Sequence, residues 1–281
     1  MRYIEIPPSP FLSRDLESFW YLESNIKPKI PPREKILPDG CSELIFNLAE
    51  PFRRFHANGK IERQPQILLA GQMRSYAQIA PVGQVQLLGI RFRPGGAFAF
   101  LHVPMHELTD QIIEGSEVLG NWVNELQEKL MYGRSLRSRI ELIEVALSQR
   151  LQKRWQSDRV IAEAVRRILA TEGRVQVESL FADLGLSGRQ VERKFQTMVG
   201  LSPKMLARIM RFQKIFKLAG QQPDSWSGIA HDCGYYDQAH LIHDFQQFAG
   251  QNPSAFLLAQ TEMSSYLMRK NRMPVFYNTS R

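Results

Sequence analysis

The sequence carries the same pattern twice. From Ser179 to Leu206 it runs SLFADLGLSGRQVERKFQTMVGLSPKML, and from Gly228 to Phe256 it runs GIAHDCGYYDQAHLIHDFQQFAGQNPSAF. Phe195 and Phe245, Gly200 and Gly250, and Pro203 and Pro253 pair at an offset of 50 residues; Leu180 and Ile229, and Gly185 and Gly234, pair at 49. One residue has therefore been added in the turn between Gly234 and Asp237. A pattern repeated at a fixed spacing implies one supersecondary unit used twice.

Each copy has the punctuation of two short helices. In the second, Ser225 or Ser227 is placed to cap a first helix and Gly234 to end it in a left-handed turn. Asp237 then caps a second helix whose buried stripe is Leu241, Phe245 and Phe248, at i, i+4 and i+7. Its outward face carries Gln238, Ala239, Ile242, His243 and Gln246. In the first copy Ser187 is the cap, Val191, Phe195 and Met198 the stripe, and Arg189, Gln190, Glu192, Arg193 and Gln196 the outward face. A short helix, a tight turn and a second helix with long polar side chains outward is the helix-turn-helix arrangement, whose second helix enters the major groove. Ser202-Pro203 and Asn252-Pro253 each open a further helix, with a capping side chain before a proline at the first helical position. The helix from Pro203 sets Met205, Ile209, Phe212 and Phe216 on one side and Lys204, Arg208, Arg211 and Lys214 on another. It is expected to join the two units rigidly and to offer charge to phosphate.

The charge points the same way. The chain has a net charge of +8 and a pI near 9.6. Between Arg189 and Lys217 there are eight basic residues against one acid, Glu192. That excess suits an anionic partner, although charge alone does not separate nucleic acid from a membrane surface. No apolar run approaches the ~18 residues that would cross a bilayer, and the start MRYIEIPPSPFLSRDLESFW has no apolar signal region. Cys41 and Cys233 have no metal or disulfide spacing, so a reducing cytoplasm is the expected setting.

The first ~100 residues alternate short apolar runs with Gly and Pro. In EKILPDGCSELIFNL a Pro-Asp-Gly turn precedes Leu44, Phe46 and Leu48 at period two, the pattern of a half-buried strand. From about Phe98 the spacing turns helical; Leu136, Ile140, Ile143 and Leu147 form one stripe, on a helix that could cover the sheet or pair with a second subunit. The fold expected is α+β: a β-rich sheet or small barrel with covering helices over residues 1–152, an all-α region with two helix-turn-helix motifs over 158–258, and an irregular tail over 264–281.

LGLSGRQVERKFQTMVGLSPKMLARIMRFQK followed by IAHDCGYYDQAHLIHDFQQFAGQNPSAF resembles the two-motif DNA-binding domain of AraC-type transcriptional regulators. LPDGCSELIFNL and GIRFRPGGAFAFL resemble the N-terminal domain carried by one subset of that family. The resemblance implies double-stranded DNA as partner, read at two adjacent major-groove segments. By position in the motif, Arg189, Glu192 and Arg193 in the first unit and Gln238, Ala239, Ile242 and His243 in the second are the base-reading residues. Lys194, Lys204, Arg208 and Arg211 are the phosphate contacts. The N-terminal domain is then a sensor or dimerisation domain, which brings in a small-molecule effector, a homodimer and RNA polymerase as partners. No cofactor is implied. Phe181 departs from the family, which has a small residue there.

Several residues support more than one reading. Arg193 has the geometry for the O6 and N7 of guanine, for phosphate or for solvent; Gln238 suits adenine. Ala239 and Ile242 offer apolar contact alone, so the second unit is expected to read by hydrogen bonds less than the first. His240 and His243 do not make a metal set, because His240 is expected to pack in the core, and Pro104 interrupts His102 and His106. RFRPGGAF is either an anion cradle of exposed amides or a strand ending in a turn. Cys41 is the one nucleophile on which an enzymatic alternative could rest, against the simpler reading of a core turn residue. No catalytic constellation or metal set accompanies it.

Overall fold

The computed structural model describes residues 2–25, 33–151, 158–183, 185, 187–219, 225–258 and 276–278. The N-terminal half is built on two antiparallel sheets. The larger has the order β1 (Arg2–Ile6), β2 (Leu16–Ser24), β9 (Val85–Phe92), β4 (Ser42–Asn47), β7 (Ile67–Ala70) and β10 (Ile112–Glu114). The smaller has the order β11 (Phe276–Asn278), β3 (Glu34–Ile36), β8 (Ala77–Ala80), β5 (Arg53–Phe55) and β6 (Ile61–Arg63).

Leu44, Phe46 and Leu48 face one core, as their alternation predicts, whereas the central strands β2 and β9 are buried on both faces. Phe19 and Tyr21 of β2 point with Leu88, Ile90 and Phe92 of β9 into a core shared with helices. The intervening Trp20, Leu22 and Leu87 point into a second core with Ile79 of the smaller sheet. A β-strand sends alternate side chains to opposite faces, so a sheet covered on both sides needs apolar residues in consecutive positions. In the register Trp20↔Gly89 the glycine is required, because a Cβ there would come within 2.0 Å of the Trp20 ring.

The helices that cover the larger sheet are α1 (Phe98–Leu101), α2 (Gly115–Leu119), α3 (Trp122–Met131) and α4 (Leu136–Leu151), with a 3-10 turn at Met105–Leu108. Ile140, Ile143 and Leu147 of α4 are buried in the sheet–helix core. Covering the sheet is thus what the α4 stripe does.

The C-terminal half is helical: α5 (Arg159–Ala170), α6 (Val177–Asp183), α7 (Gly188–Val199), α8 (Pro203–Ala219), α9 (Trp226–Cys233), α10 (Gln238–Ala249) and α11 (Pro253–Leu258). Its core is organised around Phe212 of α8, whose ring lies 5.1 to 5.3 Å from those of Phe216, Phe245 and Phe248. Leu37, from the N-terminal half, is buried in this same core. The linker read between the halves, QKRWQSDR, falls largely outside the described residues. Most of the 264–281 tail does too, but Phe276–Asn278 is a strand paired with β3, not irregular chain.

Candidate nucleic-acid interface

The two helices expected to read DNA are α7 and α10, and each is set by side chains close in sequence. The Ser187 hydroxyl accepts from the Gln190 amide while the Gln190 side chain accepts from the Ser187 amide, a reciprocal capping box. Asp237 accepts from the His240 amide at 2.8 Å. Of the two serines open as caps for α9, Ser225 is used, accepting from the Gly228 amide at 3.1 Å. Gly200, Gly234 and Gly250 end α7, α9 and α10 with φ of 88°, 79° and 69°, where a side chain would be strained. Ser202 and Asn252 cap α8 and α11 through the amides of Met205 and Ala255.

These caps leave the expected faces to solvent. Arg189, Glu192 and Arg193 are exposed on α7; Gln238, Ala239 and His243 are exposed on α10, with Ile242 half-buried beside them. The first face is charged and the second nearly neutral. In the turn before α10, Tyr236 is 94% exposed. It lies in a turn that is one residue longer in sequence than in the first unit, and no motif singles it out.

The basic face of α8 does not stay outward. Arg208 turns in to Asp244 of α10, with Nη2 2.6 Å from Oδ1 and a second bond of 2.6 Å to Gln247. Asp244 is 1% exposed, so this is a buried ion pair bracing α10 against α8. Arg211 Nη1 donates to the Gly173 carbonyl at 2.9 Å, and its guanidinium lies 5.5 Å from the centre of the Tyr235 ring. Lys214 meets Glu172 at 3.0 Å, and Glu172 is held below the usual carboxylate range by Lys214 first and Lys217 second. Arg208 and Arg211, read from the sequence as phosphate contacts, are therefore engaged inside the fold. Lys194 is half-buried and bonds Asp158 at 2.6 Å. Burial opposes ionisation of Asp158, but Lys194 and the amides of Ile161 and Val160 outweigh it and hold the carboxyl low. Lys204 is exposed and, like Arg189 and Arg193, makes no ion pair among the described residues.

Other expectations change on the same grounds. Met198 is half-buried and Val199 completes the α7 stripe in its place. His240 is exposed, edge-on to the Tyr235 ring at 5.2 Å, and is not a core residue. Phe181 is accommodated by Gly188, where a Cβ would lie 3.3 Å from its ring. The Gly95-Gly96 segment forms a turn, not a cradle. A Cβ on Gly96 would meet the Asp15 carbonyl at 2.0 Å. Arg93 bonds the Ser13 carbonyl, and Arg91 is taken by Asp39 and by Glu43 at 2.9 Å. Burial and the nearby Glu17 push the Cys41 thiol well above its ordinary range, the opposite of an activated nucleophile. Among the described residues no cluster of three His, Cys, Asp or Glu side chains is placed to hold a metal.

Residues 180–259, which hold both units, match the helix-turn-helix domain family. This region is an AraC-type helix-turn-helix domain. The chain is a DNA-binding transcriptional regulator. Residues 4–114 match a domain of unknown function (DUF6597), so the AraC-type domain is joined to a second family's domain. Among solved structures, an apo variant of ToxT from Vibrio cholerae is similar at 11% identity and a TM-score of 0.45, over 85% of this chain and 97% of that one. ToxT from Vibrio cholerae bound to an unsaturated fatty acid is similar at 9% identity and a TM-score of 0.42, over 84% and 97%. No curated protein matches the chain. Among the described residues no helix is long and apolar enough to cross a membrane.

Proposed function

We propose that the AraC-type domain reads two adjacent major-groove segments on one face of double-stranded DNA, α7 in one and α10 in the other. Arg189, Glu192 and Arg193 read bases in the first segment, and Gln238, Ala239, Ile242 and His243 in the second. Lys194 and Lys204 contact phosphate, whereas Arg208 and Arg211 serve as struts. The observation that carries this reading is that α7 and α10 are each capped by a side chain close in sequence, stand on either side of the continuous helix α8 and are exposed on their expected faces. A 17-residue helix is a stiff connector, so it limits how far the two reading helices can part, to a separation near one duplex turn.

The N-terminal domain modulates this binding. A cavity of about 70 Å³ between its two sheets, lined by Ile36, Asp39, Asn47, Phe52 and Arg91 among others, has room for only a few atoms, so a small-molecule effector bound there parts the sheets. Val145 and Tyr132, exposed on and beside α4, offer a surface for a homodimer, and RNA polymerase is the partner through which a bound regulator acts.

Footprinting of the whole chain on operators with about 0, 5 and 10 base pairs inserted between the half-sites tests the reading. Five pairs turn one half-site to the far side of the duplex. A full turn restores the face but adds about 34 Å, beyond the reach of a rigid helix. Both insertions abolish simultaneous protection; protection of both half-sites by one molecule at the full-turn spacing refutes the rigid reading.

A further inference from the structure

Lys35, Tyr76 and Thr109 stand on three separate segments of the N-terminal domain, and all three meet the C-terminal end of a reading helix. Lys35 Nζ donates to the carbonyl of Ala249, the last residue of α10, at 2.6 Å, and lies 4.4 Å from the centre of the Tyr76 ring. Tyr76 in turn occupies the space beside Gly250, where a Cβ would come within 2.2 Å of the ring. Thr109 Oγ1 donates to the carbonyl of Gly200, the cap of α7, at 2.6 Å, and a Cβ on Gly200 would lie 2.9 Å from the Met105 carbonyl. Gly200 and Gly250 are the equivalent positions of the two units, 50 residues apart. Between these contacts the linker helix α8 is held as well: Gln213 donates to the Pro38 carbonyl, and Leu37 is buried in the helical core.

The last carbonyls of a helix have no partner within it, and a cation there also meets the negative end of the helix dipole. Lys35 is 4% exposed, and its ammonium donates both to this carbonyl and, at 3.3 Å, to the Gln251 side chain just beyond it. The opposite ends of α7 and α10, which carry the reading residues, stay exposed while the N-terminal domain is docked. One body thus grips both reading helices by their far ends. A 12-residue helix is about 18 Å long, so a tilt of about 10° at the gripped end displaces the reading end by about 3 Å, close to the rise of one base pair.

We infer that Lys35, Tyr76 and Thr109 are positioning residues that set the half-site spacing the two reading helices accept, making the N-terminal domain part of the ruler that selects the operator. The inference rests on the two-segment reading above. Its test measures the affinity of the whole chain for operators whose central spacer is changed by about one or two base pairs in either direction, with Lys35→Met, Thr109→Val and Lys35→Arg beside the unaltered protein. The unaltered chain loses about tenfold or more per base pair of change, whereas Lys35→Met and Thr109→Val weaken the preferred spacing and flatten the profile to within about threefold. Lys35→Arg, which keeps a cation at the Ala249 carbonyl, restores the sharp profile.

If the contacts served stability alone, the variants would melt earlier and bind every spacing more weakly in parallel. A profile of unchanged shape overturns the inference. Should Lys35→Met fail to fold, Thr109→Val, which exchanges one hydroxyl for a methyl group at the other unit, decides by the same profile. An unaltered chain that protects only one half-site sinks the two-segment reading itself; a chain that protects both sharply while the variants stay sharp sinks only this inference.

Discussion

The first helix-turn-helix unit carries its charge outward and the second carries it inward. On α7, Arg189, Glu192 and Arg193 face solvent, and the tie to the rest of the domain is the half-exposed pair of Lys194 with Asp158. On α10 the face is nearly neutral, and the tie is Asp244, buried under Arg208 and Gln247. An ion pair at the surface adds little to stability, whereas cutting one partner of a buried pair strands an uncompensated charge. The same backbone unit thus presents a charged outward face once and a buried ionic seat once. Duplication preserved the frame, namely caps, glycines and stripe, and left the division of labour to the side chains around it.

Cutting the two ties tests that contrast most directly. Asp244→Ala should destabilise the protein by roughly 3–5 kcal/mol in denaturant unfolding, because Arg208 is left buried without its partner. The matching cut in the first unit, Asp158→Ala, removes a helix cap and a surface pair and should lose only about 1–2 kcal/mol. Equal losses would break the comparison.

The seat of the second unit should also titrate. Glu34, beside Lys35 on β3, is pushed up to about 7 by burial, and one of its carboxyl oxygens has no partner among the described residues. The folded protein therefore holds this proton more tightly than the unfolded chain. Its stabilising contribution is complete below the ordinary glutamate range and is lost as pH rises through about 7. Glu34→Gln should remove a pH dependence of at most about 3 kcal/mol between pH 5 and 8, read as the difference between the two unfolding curves. Identical slopes would mean that Glu34 does not hold its proton in the folded state.

The readers differ by less. Arg193→Ala should lose about 1–3 kcal/mol of affinity and relax preference at one base position, while His243→Ala on the neutral face should lose under about 1 kcal/mol. A panel of single-base operator variants compares them, and a larger loss at His243 would invert the assignment. The smallest effect sharpens the inward–outward distinction on α8. Lys204→Ala should reduce the slope of log affinity against log salt by about 1, and Arg211→Gln should leave that slope unchanged. A reduced slope for Arg211→Gln would return it to the phosphate set.

What the sequence made legible was whatever is decided within a few residues. Ser187, Asp237, Gly200, Gly234 and Gly250 act on their own neighbours, so their roles could be read from spacing. What it hid was decided at long range. Helical periodicity placed Arg208 on a basic face correctly, but the acid that turns it inward lies 36 residues away on another helix. Likewise, alternation found one face of β4, while its neighbour β9 is packed on both faces because a second sheet lies on the side opposite the helices. Lys35 sits in a short segment with no motif of its own, and only the docked C-terminal domain gives it a task. Val199 displaced Met198 from the α7 stripe, although either fits a helical period.

Leu37 has a consequence for how the chain is made. Its side chain belongs to a core whose other members run from residue 161 to residue 256, so it has no place to go when it leaves the ribosome. The carbonyl that receives Lys35 is more than 200 residues further along the chain. At about 5–20 residues per second, the N-terminal domain waits roughly 10–40 s with this seat open. Folding of this regulator therefore includes a docking step in which helices made late close a surface prepared by a strand made early.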